Sequence, residues 1–100
     1  MEEPNNSIGI LDSGVGGLSV LLEIRKKLPN TPVHYIGDSA WCPYGSKPAE
    51  QIQTRVFAVT ERLIEMGART IVVACNSATI HAVEALRARY PISFIGMEPA

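Results

Sequence analysis

A chain of 100 residues, 46% of them apolar, is long enough to bury a core and short enough to be one modest domain or part of a larger one. Nine Lys and Arg against ten Asp and Glu give a net charge of −1 with no basic cluster, which argues against nucleic acid or an anionic membrane surface as partner and leaves a small molecule. The opening Met1-Glu2-Glu3-Pro4-Asn5-Asn6 is polar and acidic, unlike a signal peptide, and no apolar run nears the ~20 residues that cross a bilayer, so the expected setting is the cytoplasm.

Residues 1 to 6 read as a disordered lead-in. Ile8-Gly9-Ile10-Leu11 is a short strand that runs into a glycine turn, Asp12-Ser13-Gly14-Val15-Gly16-Gly17. An amphipathic helix follows, with Leu18, Leu21, Leu22 and Leu28 on roughly one face and Glu23, Arg25, Lys26 and Lys27 largely on the other, stopped by Pro29-Asn30. Val33-His34-Tyr35-Ile36 makes a second strand. It ends at Gly37-Asp38-Ser39 and opens a loop rich in Pro, Gly and aromatics, through Trp41, Cys42, Pro43, Tyr44, Gly45 and Pro48.

From Ala49 to Met66 the apolar residues Ile52, Val56, Val59, Leu63 and Met66 keep a 3.6-residue period, and Gly67 stops the helix. Residues 70 to 74 form a third strand, an unbroken apolar run suited to burial on both faces. A third helix over residues 77 to 89 turns Ala78, Ala82, Val83 and Leu86 inward and ends at Pro91. Ile92-Ser93-Phe94-Ile95 is a fourth strand, and residues 97 to 100 begin a linker. The order βαβαβαβ predicts an α/β fold: parallel strands, right-handed crossovers, helices on both faces, and every strand ending on one rim. Residues 7 to 96 make up the expected domain.

That rim collects chemistry. The first strand ends in Asp12-Ser13, the second in Asp38-Ser39 and the third in Cys75-Asn76-Ser77, with Thr79 close behind. Strand ends of open α/β sheets are where ligands bind. A thiol beside the start of a helix meets free N–H groups and partial positive charge, which favour a thiolate. Taken alone, Cys75 is more often a small buried hydrophobe. Asn76 and Ser77 have an equally plain reading as helix caps, and Asp12 and Asp38 as turn residues.

Several motifs fail to complete. The glycine turn lacks the spacing of a dinucleotide fingerprint and the Lys of a P-loop. Two acidic strand ends suggest a metal, as in receiver domains, but the third strand then ends in Cys75 where those domains carry an acceptor Asp. A low-molecular-weight tyrosine phosphatase needs Arg six positions after its cysteine, and that position is His81. Nothing local promotes His34, His81 or Cys42, and Trp41 serves equally as a cover for apolar surface. The two cysteines stand thirty-three positions apart, without Cys-x-x-Cys spacing or secretory context, so both thiols are expected to be free.

Taken together, Ile8-Gly9-Ile10-Leu11-Asp12-Ser13-Gly14-Val15-Gly16-Gly17-Leu18, Gly37-Asp38-Ser39 with Pro43-Tyr44-Gly45, and Ala74-Cys75-Asn76-Ser77-Ala78-Thr79 closely resemble the N-terminal part of the bacterial glutamate racemases, in the aspartate/glutamate racemase superfamily. The resemblance covers nearly the whole chain, and the Asp-Ser-Gly-Val-Gly-Gly turn argues for the glutamate enzymes over the aspartate ones. It implies a cofactor-independent racemase, without metal, that supplies D-glutamate for peptidoglycan. By matching motifs, Cys75 is one of two catalytic cysteines, Asp12 orients or tunes it and meets the substrate ammonium, and Ser13, Tyr44, Gly45, Asn76, Ser77 and Thr79 bind substrate. The second cysteine of the family lies in a Gly-Cys-Thr-His motif of a second, similar domain. These residues contain no such motif, so the chain resembles a fragment, expected to be inactive alone and to leave apolar surface or a sheet edge open to self-association. The competing reading is a non-catalytic α/β module that binds an amino acid or small anion.

Overall fold

The computed structural model describes residues 7–12, 17–38 and 48–96, apart from the side chains of residues 76 and 77. The expected lead-in and linker, residues 1 to 6 and 97 to 100, lie outside the described residues. Helices and strands alternate: β1 (Ser7–Asp12), α1 (Leu18–Lys27), β2 (Val33–Gly37), α2 (Ala49–Glu65), β3 (Ala68–Val73), α3 (Asn76–Arg89) and β4 (Ser93–Gly96). The strands pair in parallel in the order β2-β1-β3-β4.

The order sets the faces. From β1 the chain steps one way to β2, then returns across β1 to β3 and continues to β4. With right-handed crossovers, α1 lies on one face of the sheet and α2 and α3 on the other. The main core sits on the two-helix face. Leu11, Ile71, Val73 and Phe94 of the sheet meet Ile52, Val56 and Leu63 of α2 and Ala78, Ala82 and Leu86 of α3. Each large side chain buried there contributes about 1.5–3 kcal/mol. The α2 period works as the sequence predicts as far as Leu63. Met66 departs from it and is 38% exposed, because the helix ends at Glu65 and Met66 caps it before the turn at Gly67, whose φ is 107°.

The α1 face is thinner. Ile10 and Val72 are buried on it, but no α1 residue is fully buried. The predicted leucine stripe is only partly right. Leu21 is half-buried together with Val20 and Ile24, whereas Leu18 and Leu28 are exposed and Leu22 is 64% exposed. Gly17 sets this rotation. It is buried against β1, and its carbonyl accepts the Leu21 N–H at 3.0 Å, so positions 17, 20, 21 and 24 share the inner phase of the helix. Ile95, on the same sheet face, is 52% exposed, and β2 and β4 are the edges of the described sheet. Among the described residues, then, Leu22 and Ile95 are exposed apolar groups and β2 and β4 each have one unpaired side.

Candidate active site

The chain leaves β1 towards β2 on one side, while β3 lies on the other, so the C-terminal ends of β1 and β3 flank the point where the winding direction changes. Their ladder runs to the rim. Leu11 pairs with Val73, and the Ala74 N–H then donates to the Leu11 carbonyl at 2.8 Å. Asp12 thus ends one strand level with Ala74, and Cys75 follows immediately on its neighbour.

Asp12 is 2% exposed. Its Oδ2 accepts two hydrogen bonds, one from the Gly17 N–H and one from the Tyr35 hydroxyl at 2.9 Å. Strand alternation explains the second: Ile10 pairs with Tyr35, so Tyr35 shares the α1 face with Ile10 and Asp12, and its ring reaches along β1 to the carboxylate. Burial, then the bond to Asp12 and its charge, push the Tyr35 phenol up to about 12. The niche is tight. A Cβ at position 17 would lie 3.0 Å from Asp12 Oδ2, 3.1 Å from the Tyr35 ring and 3.2 Å from the Ala74 methyl.

Cys75 is half-buried, with a free thiol, and packs on the two-helix core. Its backbone is still extended (φ −136°, ψ 124°), and it occupies the N-cap of α3, with its carbonyl accepting the Thr79 N–H at 2.9 Å. This corrects the capping expectation. The chain turns helical one residue early, so Asn76 and Ser77 are the first two helical residues, and the side chain of Cys75 at the N-cap makes no capping bond. The first-turn N–H groups beside Cys75 have no intrahelical acceptor and form a patch of partial positive charge. Thr79, half-buried, turns its hydroxyl back to the Val73 carbonyl at 3.4 Å.

Asp38 reaches the same rim but faces the other way. Alternation along β2 directs it to the α2 side, where Arg55 donates Nε to Oδ2 at 2.6 Å and Nη2 to Oδ1 at 2.8 Å. The two strand-end carboxylates therefore do not converge, and Asp38 has a structural partner. His34 is half-buried on β2, and His81 is exposed on α3. Among the described residues, no group of three or more His, Cys, Asp and Glu is arranged to hold a metal, and no helix is long and apolar enough to cross a membrane. Ser13, Ser39, Trp41, Cys42, Tyr44 and Gly45 lie outside the described residues.

Sequence reasoning missed Gly17, Tyr35 and Arg55. The two-residue alternation of β1 and β2 could have placed Tyr35 and Asp12 on one face, but only the register brings them together.

A parallel sheet with an acid and a thiol at adjoining strand ends across its switch point belongs to the open α/β class, in which ligands bind at the C-terminal rim. The profile of the Asp/Glu/Hydantoin racemase family matches residues 12–100, and the chain belongs to that family. Curated glutamate racemases from Ectopseudomonas mendocina and Methylococcus capsulatus are 50% and 53% identical to it over 100% and 92% of this chain, and over 38% and 34% of their own length. The Escherichia coli glutamate racemase, solved with L-glutamate and the activator UDP-MurNAc-ala, superposes with a TM-score of 0.90 at 39% identity, over 97% of this chain and 37% of its own. The Bacillus anthracis enzyme superposes at 0.86 with 42% identity, over 94% and 35%. The chain spans little more than a third of these relatives. The α/β expectation and the motif resemblance both hold.

Proposed function

We propose that this chain is the N-terminal part of a glutamate racemase, carrying one of the two proton-transfer groups that interconvert L- and D-glutamate without a cofactor. The observation that supports this best is the placement of Asp12 and Cys75 across the switch point, in a chain half identical to proteins named glutamate racemase. Inverting the α-carbon requires a proton to leave one face and another to arrive on the opposite face. Cys75 serves one face. A second cysteine, in the remainder of the same protein, serves the other, and the two exchange roles with direction.

Asp12 orients its cysteine and meets the substrate ammonium. The first-turn N–H groups of α3, with Asn76, Ser77 and Thr79, hold the substrate carboxylate and stabilise charge as the carbanion forms. Ser13, Tyr44 and Gly45 complete the binding set. The product feeds peptidoglycan synthesis in the cytoplasm, and the partners are glutamate and the rest of the protein, not nucleic acid or membrane. The exposed Leu22 and Ile95 suit a covering surface, whether that remainder or a second copy.

One observation favours a second reading. Cys75 packs on the hydrophobic core, as a merely structural thiol in a binding module would. Solvent deuterium exchange at the α-carbon of L- and D-glutamate, followed by NMR, separates the two. Exchange that is lost in Cys75→Ala, by the full-length protein or by this chain, is the expected result. No exchange and no racemisation by the full-length protein would leave only the binding module.

A further inference from the structure

The racemase reading asks for a fixed carboxylate at Asp12, and the chain fixes it from two directions. The Gly17 N–H and the Tyr35 hydroxyl both follow β1 in sequence, but one belongs to the N-cap of α1 and the other to β2, and both reach Oδ2. Among the described residues, no donor reaches Oδ1. The niche closes around this contact, since a Cβ on Gly17 would press on the carboxylate, the Tyr35 ring and the Ala74 methyl together.

We infer that Tyr35 is a positioning residue of this site: with the Gly17 amide it clamps one Asp12 oxygen, so that the other is presented to substrate on the rim beside Cys75. The inference rests on the racemase reading. A phenol suits the task for a physical reason. A Lys or Arg at this position would neutralise the carboxylate that the substrate ammonium needs, whereas a neutral O–H sets its direction and leaves its charge in place. The phenol, pushed up to about 12, also keeps its donor proton throughout the neutral range. Tyr35→Phe removes the donor and keeps the ring that fills the niche.

The test is a double-mutant cycle on the full-length protein, with Tyr35→Phe, Asp12→Asn and their combination. Loss of one bond to a charged acceptor should lower kcat/KM for glutamate roughly tenfold or more in Tyr35→Phe. That loss should shrink when Asp12 is already Asn, because the amide oxygen accepts from Tyr35 more weakly and leaves no second charged oxygen to direct at substrate. A merely structural tyrosine would cost the same in both backgrounds, and an unchanged kcat/KM in Tyr35→Phe would also overturn the inference. A wild-type protein that does not racemise glutamate defeats the functional reading instead. The clamp is then judged on this chain, by the ¹³C-tyrosine NMR titration of Tyr35: a phenol that titrates at its ordinary value with or without Asp12 overturns it.

Discussion

Asp38 and Arg55 close a two-bond ion pair on the α2 face, Nε to Oδ2 at 2.6 Å and Nη2 to Oδ1 at 2.8 Å, one strand away from an Asp12 whose carboxylate faces α1. The pair ties the end of β2 to the middle of α2, across the β2–α2 loop. Its carboxylate is 5% exposed and its guanidinium 40%, so the two partners are not equivalent.

Removing the arginine takes away both of its charge-assisted bonds to a carboxylate that is nearly buried, whereas Asp38→Asn removes the charge and keeps a hydrogen-bond acceptor. Arg55→Ala should therefore cost about 2–3 kcal/mol and Asp38→Asn about 1 kcal/mol. Urea denaturation of both variants checks the order. Equal losses would mean that the charge of Asp38 is well solvated without Arg55.

Gly96, at the end of β4, passes under the first turn of α3. A Cβ there would lie 2.7 Å from the Thr79 γ-methyl, too close for either group to stay. Gly96→Ala should cost about 1–2 kcal/mol through overpacking. Thr79→Ser, which deletes the methyl and keeps the hydroxyl that bonds the Val73 carbonyl, should recover most of that loss. Thermal denaturation of the single and double variants reads it directly, and no recovery in the double would place the strain elsewhere.

Tyr35 makes stability fall at high pH. Its phenol is raised from the ordinary 10.0 to about 12, first by burial and then by Asp12. Below about 10 it is protonated whether the chain is folded or not, and contributes no pH dependence. As pH rises from about 10 towards 12 the unfolded chain loses that proton first, so the folded state is progressively destabilised. Denaturation midpoints across this window should fall less steeply in Tyr35→Phe than in the parent chain. Parallel slopes would remove Tyr35 as the source.

Bound substrate should shield Cys75. At glutamate about ten times its dissociation constant, alkylation of Cys75 by iodoacetamide should slow about tenfold, in proportion to the unoccupied fraction. Alkylation of Cys42 serves as the internal comparison, read by mass spectrometry of the two peptides. Unchanged Cys75 alkylation at saturating glutamate would separate the thiol from the binding site.

Much of the architecture was legible in the chain because it depends on local periodicity. The α2 positions Ile52, Val56, Val59 and Leu63, and the α3 positions Ala78, Ala82, Val83 and Leu86, are buried as their spacing predicts. Strand ends could be found for the same reason, and with them the gathering of Asp12, Asp38 and Cys75 on one rim. The helix α1 was harder. Its leucines suggested one inner face, but the docking of Gly17 at Asp12 rotates the helix and leaves Leu22 outside.

What the sequence determined by itself is the order of elements, the parallel sheet that the order imposes, and the residue types delivered to its rim, since these follow from short-range pattern and chirality. Tertiary structure alone decided which of those residues meet. Neighbouring side chains on a strand point to opposite faces, and inter-strand register sets who stands opposite whom. Asp12 is thus given to Tyr35 and Gly17, and Asp38 to Arg55, by contacts between residues far apart in the chain. The start of α3 one residue early was decided the same way, by where the β1 ladder releases Ala74 and leaves Cys75 extended at the helix entrance.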